Sequence, residues 1–382
     1  MAQTMALITP GTKDLNASQM TSVEIYLYDL WRAMRRRVGV YLYYRDTVIY
    51  GDLLHHTRQP LDTAQTSRFL SNVMNDIEKR NPLPAIIQVD NRPHYLRSLE
   101  NLQRPLVLGM HSMTFLQETR LTHKDALRAL RSAQDIVVNS EFLYDRLHRA
   151  FPAIHANVIY PGVDVNLFHP VQSDEEDKLV ASWRERLHAW NNPIILFTGR
   201  VIERKGLHVV LEALRELRQR YAMNAIVVVA GQRPLASAYV KKLDRLARHV
   251  KVHWLGFVRR DMLADLYRTA DVCVCPSQVD EAFGLVALEA QASGTPMVAS
   301  GAWGLRESLH RNTGVFVTHY KDPQHWAKSL YALLADTSMQ SSLAKQGIQR
   351  VQTQFTWTRA ADEYADLYAK ILHIDSFNAN SL

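Results

Sequence analysis

Cysteine is nearly absent: the 382 residues contain two, Cys273 and Cys275, in Asp271-Val-Cys-Val-Cys-Pro276. Their alternate spacing places both on one face of a buried strand. Neighbours on one strand seldom form a disulfide, and nothing nearby completes a zinc-ligand set. The pair reads as small buried hydrophobes, so a disulfide-stapled or structural-zinc protein is excluded. No apolar run approaches the roughly 18–20 uncharged residues needed to span a bilayer. Met1–Ile8 shows no basic leader ahead of a long apolar stretch, and the chain is expected to be soluble and cytoplasmic. Gly-x-Gly-x-x-Gly and Gly-x-x-x-x-Gly-Lys-Ser/Thr are both missing, which argues against a dehydrogenase and a P-loop ATPase. There is no repeat of fixed period.

The length suits two domains of roughly 150–200 residues each. With 47% apolar and 22% charged residues, disorder, collagen and coiled coil are excluded. The net charge of +7 is spread over both halves rather than gathered in a stripe or tail, so nucleic acid is not an expected partner. The one dense cluster, Arg32, Arg35, Arg36 and Arg37, suits the C-terminal end of a helix and a solvated surface. It also fits a patch resting on an anionic membrane face.

Apolar runs alternate with amphipathic stretches throughout. Strands are predicted at Thr4–Thr9, Val38–Tyr44, Ala85–Val89, Leu106–Gly109, Asp135–Asn139 and Asn157–Tyr160. The second half adds Ile194–Thr198, Ala225–Ala230, Val252–Leu255, Val272–Cys275, Met297–Ala299 and Val315–Val317. Helical patterns separate them, which predicts an α/β protein with two doubly wound parallel-sheet (Rossmann-like) domains facing across a cleft. The turn-rich Tyr160–Pro170 and the acidic Asp174–Asp177 mark the boundary and a hinge. The expected division is 1–165, 166–357 and a C-terminal helix and tail, 358–382, returning toward the first domain.

Two constellations carry chemistry. In Phe197-Thr-Gly-Arg-Val-Ile-Glu-Arg-Lys-Gly206 a strand delivers Gly199, Arg200 and Lys205 before a helix opens at Gly206. A planar guanidinium and a mobile ammonium there suit a diphosphate. In Ser277–Ala290, Glu281 precedes Glu289 by eight positions, an advance of about 12 Å on a helix, too far to share a proton. The acids must therefore serve different groups. Free N–H groups where a helix starts near Gly284 and Leu285 offer an anion site.

Gly199-Arg200…Lys205-Gly206, Leu255-Gly256-Phe257, Leu266–Asp271 and Glu281-x7-Glu289 followed by Gly294-Thr-Pro resemble the retaining family-4 glycosyltransferases of the GT-B fold. Tyr160-Pro-Gly-Val-Asp…Phe168-x-Pro170 is similar to their linker. The likeness covers about residues 135–370. Asp90-Asn-Arg-Pro93 and Val107–His111 look more loosely like bacterial, spore-coat-associated members. The resemblance implies that Arg200 and Lys205 bind the donor diphosphate and that Glu289 holds the ribose. The backbone around Gly256, Phe257 and Val258 would meet the base, and Gly199 and Gly11 would belong to the donor-binding set. Glu281, with backbone N–H groups of Phe283, Gly284 and Leu285, would grip the sugar and distal phosphate, and His111 would lie near the reacting carbon. Relatives have adjacent glycines after the first strand; here Pro10–Ser22 has only Gly11. Either bulkier residues bar the approach, or hydroxyls of Ser18, Thr21 and Ser22 substitute.

The implied function is retaining transfer of a sugar from a nucleotide-diphosphate donor to the hydroxyl of a glycan, lipid-linked or protein acceptor, without a metal or other cofactor. An Asp-x-Asp motif is absent. Peripheral membrane or spore association stays open. The rival reading is a non-catalytic nucleotide-sugar-binding or spore-coat structural protein on the same fold. An epimerase would need more acid–base groups around the sugar than His111 alone.

Overall fold

The structure is a computed structural model that describes residues 4–11, 20–45, 47–50, 53–56, 66–117, 120–235, 237–375 and 377. The chain divides into two compact units, Met1–Pro161 with Trp357–Leu382, and Gly162–Thr356. The sequence-based boundaries lie within a few residues of these crossings.

The first unit holds β1 (Thr4–Ile8), α1 (Ser22–Met34), β2 (Gly39–Tyr43), β3 (Thr47–Tyr50), β4 (Leu53–His56), α2 (Thr66–Glu78) and β5 (Ile86–Asp90). It continues with α3 (Pro93–Leu99), β6 (Leu106–Met110), α4 (His123–Arg131), β7 (Asp135–Val138), α5 (Glu141–Ala150) and β8 (Asn157–Val158). Its sheet runs β4-β3-β2-β1-β5-β6-β7-β8. All pairings from β2 to β8 are parallel, whereas β2–β3 and β3–β4 are antiparallel. The sheet is thus parallel as expected, with an antiparallel edge of two short strands, β3 and β4, that the sequence reading did not include. Thr47-Val-Ile-Tyr50 is β-branched and aromatic, the composition that fits a pleated surface, but the run is short. At the other end of the chain, Ala360, Ala361, Tyr364 and Tyr368 pack with Met5, Leu7, Leu27 and Leu30 in one buried cluster.

The second unit contains α6 (Asp174–Arg186), β9 (Ile194–Thr198), α7 (Leu207–Tyr221), β10 (Ile226–Ala230), α8 (Ala238–Ala247), β11 (Lys251–Gly256) and α9 (Arg260–Thr269). Then come β12 (Val272–Cys275), α10 (Leu285–Ala292), β13 (Met297–Ser300), α11 (Leu305–Ser308), β14 (Gly314–Val317), α12 (Pro323–Leu334) and α13 (Thr337–Gln354). The helix α14 (Trp357–Leu372) follows and belongs to the first unit. The six strands are all parallel in the order β11-β10-β9-β12-β13-β14. Asp174–Asp177, read as a break in composition, is the acidic first turn of α6 behind an N-cap Ser173. Negative charge is favourable at that end of the helix dipole. Cys273 and Cys275 are free and buried.

Candidate functional site

The second sheet grows from β9 toward β10 on one side and resumes at β12 on the other. Ligands bind outside the carboxyl ends of strands at such a reversal. Two loops meet there, 199–206 after β9 and 276–284 after β12. Gly206 has φ +73°, and a Cβ built on it would lie 1.8 Å from the Pro276 carbonyl oxygen. The Gln278 N–H donates to the Arg204 carbonyl at 2.7 Å. Only glycine fits where one loop backbone presses on the other.

This packing brings Lys205 to Glu281. Lys205 Nζ donates to Glu281 Oε2 at 2.5 Å, and Ser277 Oγ donates to the same oxygen at 2.9 Å. Burial pushes the Glu281 carboxyl up, but Lys205 and Ser277, with help from Arg204, outweigh it and hold the group below the usual glutamate range. Arg200 feels the same cluster. Partial desolvation and the neighbouring Arg204 push its guanidinium down from its ordinary value, while Glu281 acts in the opposite direction. Lys205 touches the Glu281 carboxylate, and Arg200 and Arg204 are near enough to feel its neighbourhood electrostatically, so three cations stand against one anion there.

Glu289, the fifth residue of α10 and about one turn into it, is held separately. Tyr267 Oη donates to Glu289 Oε2 at 2.9 Å and lies 3.1 Å from Thr198 Oγ1 at the end of β9. Tyr267 is fully buried, and that burial, with the Glu289 charge beside it, raises its phenol well above the ordinary value. The phenol therefore stays protonated and donates. Glu281 and Glu289 do address different neighbours.

α7 and α10 start without a side-chain cap, at Gly206 and at Gly284, whose φ is +92°. By contrast α4, α5, α6 and α8 are capped by Thr122, Ser140, Ser173 and Ser237. An uncapped start leaves N–H groups for another acceptor. Leu285 is the first residue of α10, while the Phe283 ring is buried and packs 5.8 Å from Phe355, so only its backbone can face a ligand. The Gly304 N–H donates to the Glu281 carbonyl at 3.0 Å, fixing the loop from its other side. Gly199 has φ +123°, Gly256 has φ +68°, and a Cβ on either would meet nothing within 4 Å. Phe257 is exposed and Val258 half-buried.

His111 and Gly11 belong to the first unit. His111 Nε2 lies 2.8 Å from Asp90 Oδ1, and its backbone N–H donates to Asn91 Oδ1 at 3.3 Å. Gly11 has φ +65° and faces the Phe69 ring, which would lie 2.5 Å from an added Cβ. Of the three hydroxyls weighed as substitutes, Thr21 caps α1, accepting from Glu24 N, and Ser22 opens that helix. Ser18 lies outside the described residues.

Reading the sequence missed Arg204, Ser277, Tyr267 and Asp90. Arg204 stands within the cationic motif and was legible there. Tyr267 could have been found from its place just before β12, since a buried phenol needs a partner. Among the described residues no three His, Cys, Asp or Glu side chains group as a metal would need, and no helix is long and apolar enough to cross a membrane.

Two α/β domains with parallel sheets and a charged cluster at the switch point of the second define a GT-B type of glycosyltransferase architecture. The family of glycosyl transferases group 1 matches residues 182–350. The chain is 30% identical over 293 residues to the uncharacterized glycosyltransferase MJ1607 of Methanocaldococcus jannaschii, covering 72% of this chain and 69% of that protein. It is 29% identical over 300 residues to the putative glycosyltransferase YtcC of Bacillus subtilis, covering 75% of this chain and 73% of that one. The structure of Anabaena HepE in complex with UDP and glucose shares the fold, with a TM-score of 0.72 and 20% identity over 97% of this chain and 100% of that one. The chain belongs to the group 1 glycosyltransferases.

Proposed function

We propose that the protein transfers a sugar from a nucleotide-diphosphate donor to an acceptor hydroxyl with retention at the anomeric carbon. The observation that carries this reading is the Lys205–Glu281 contact with Arg200 and Arg204 alongside, at the switch point of a parallel sheet. The donor's diphosphate supplies the negative charge that this excess of cations lacks. As the glycosidic bond breaks, charge grows on the leaving phosphate, and Arg200, Lys205 and the uncapped start of α10 stabilise it where it develops. Glu281 and the backbone of Phe283, Gly284 and Leu285 take the sugar and distal phosphate. Glu289, aimed by Tyr267, takes the ribose hydroxyls, and Gly256, Phe257 and Val258 meet the base.

No side chain in the cluster is placed as a covalent nucleophile, which favours front-face attack assisted by the departing phosphate. The cations do the work a divalent ion does elsewhere, so EDTA is expected to leave the rate unchanged. The complex of HepE with UDP and glucose supports the donor class by analogy of fold. The test is product analysis by NMR with UDP-, GDP- and ADP-sugars. Release of nucleoside diphosphate with retained anomeric configuration is expected; inversion refutes the mechanism, and stabilisation by every donor with no release favours the non-catalytic reading.

A further inference from the structure

A buried polar chain connects His111 to the C-terminal helix. Asp90, fully buried at the end of β5, has one oxygen 2.8 Å from His111 Nε2 and accepts at the other from Gln88 Nε2 at 2.9 Å. Gln88, also fully buried, accepts at Oε1 from the Tyr368 hydroxyl on α14 at 2.5 Å. Gly109 faces Asp90 across the β5–β6 register, and a Cβ there would lie 2.1 Å from Asp90 Oδ1. A glycine is what gives the carboxylate room. The Tyr26 ring meets the imidazole edge-on at 4.5 Å, and its hydroxyl lies 2.9 Å from that of Tyr364, also on α14.

The donors and acceptors in this chain can be ordered in one way. The tyrosine hydroxyl occupies the amide oxygen of Gln88, so the amide nitrogen must face Asp90. An ionised carboxylate only accepts, so His111 must present N–H at Nε2. A neutral imidazole protonated there carries its lone pair on Nδ1. We propose that Tyr368, Gln88 and Asp90 are positioning residues for His111, holding the Nε2–H tautomer and turning Nδ1 into an acceptor for a sugar hydroxyl. The identity of that hydroxyl rests on the transferase reading; the tautomer rests on the geometry of the first unit alone. His111 keeps 10% of its side chain exposed, enough for one edge to meet a ligand.

Long-range ¹H–¹⁵N imidazole spectra of the full chain, with His111 assigned through His111→Gln, read the tautomer directly. The wild type is expected to show the Nε2–H pattern. Asp90→Asn should convert His111 largely to Nδ1–H, because the new amide can donate to Nε2, and Tyr368→Phe should give a mixture. In turnover, Asp90→Asn should lower kcat by about 10–100-fold, as loss of an orienting partner does, with donor KM within about twofold of wild type. In a His111→Gln background the same change should cost nothing further, because its effect passes through His111. An imidazolium or Nδ1–H signal in the wild type, unchanged spectra in both variants, or an undiminished Asp90→Asn penalty without His111 overturns the proposal. A wild type that turns over no donor defeats the transferase reading instead, while the spectra still decide the tautomer.

Discussion

Lys205 meets Glu281 in a contact that needs both loops in place. The side chains are 23% and 20% exposed, so the pair is partly screened. Its value lies in aiming an ammonium rather than in stability, since solvent-screened ion pairs contribute little. Replacing Lys205 or Arg200 with alanine is expected to lower turnover by about 10²–10³-fold, the scale for losing one preorganised charge at a developing anion. Steady-state kinetics beside an unchanged unfolding midpoint checks this; normal transfer by either variant refutes its role. Glu281 gives a pH signature. A carboxyl held below its unfolded value stabilises the fold above that value, near about 4.3, and the contribution fades as pH falls through the folded value. The unfolding free-energy difference between wild type and Glu281→Gln should be greatest near neutrality and shrink below about pH 4. A constant difference across urea titrations at pH 7 and pH 3 would contradict the depressed carboxyl.

The loops and helix starts set the next level. Gly206→Ala drives a methyl onto the Pro276 carbonyl at a positive φ, whereas Gly199→Ala meets open space at a positive φ. Both changes strain the backbone, but only the first also pries the two loops apart. Thermal unfolding should show Gly206→Ala more destabilised than Gly199→Ala by at least about 1 kcal/mol; equal costs would mean that the loops are not locked together. In the first unit, α14 puts Tyr364 against Tyr26. Tyr364→Phe leaves a buried hydroxyl short of a partner and should cost about 1–3 kcal/mol, while the double change with Tyr26→Phe should recover part of that loss.

Legibility at this scale followed chemistry that is local in sequence. Buried parallel strands such as Ile194–Thr198 and Val272–Cys275 are continuous apolar runs, and the structure places strands there. β3 and β4 were missed because four-residue strands carry little pattern, and α6 because its acidic first turn resembles a linker. The glycines and cations of the loops could be read because each motif is contiguous. Tyr267 with Glu289, Asp90 with His111 and Tyr368 with Gln88 stand 22, 21 and 280 residues apart. Spacing rules for one helix or strand cannot reach such pairs; the fold makes them.

At the scale of the molecule, two α/β units share the labour unequally. The group 1 match at residues 182–350 lies within the second unit, which holds the cationic cluster and both acids. The first holds His111 with its buried support, and residues 12–19, which follow its opening strand in sequence, fall outside those described. The nucleotide recognition proposed above therefore draws on residues of the second unit. The most direct measurement is calorimetric titration of UDP, GDP and ADP into wild type, Lys205→Ala and Glu289→Ala. One nucleotide is expected to bind the wild type with one-to-one stoichiometry and each variant at least about tenfold more weakly, a loss of about 1.4 kcal/mol. Failure of all three to bind the wild type, or equal binding by all three proteins, would contradict the account.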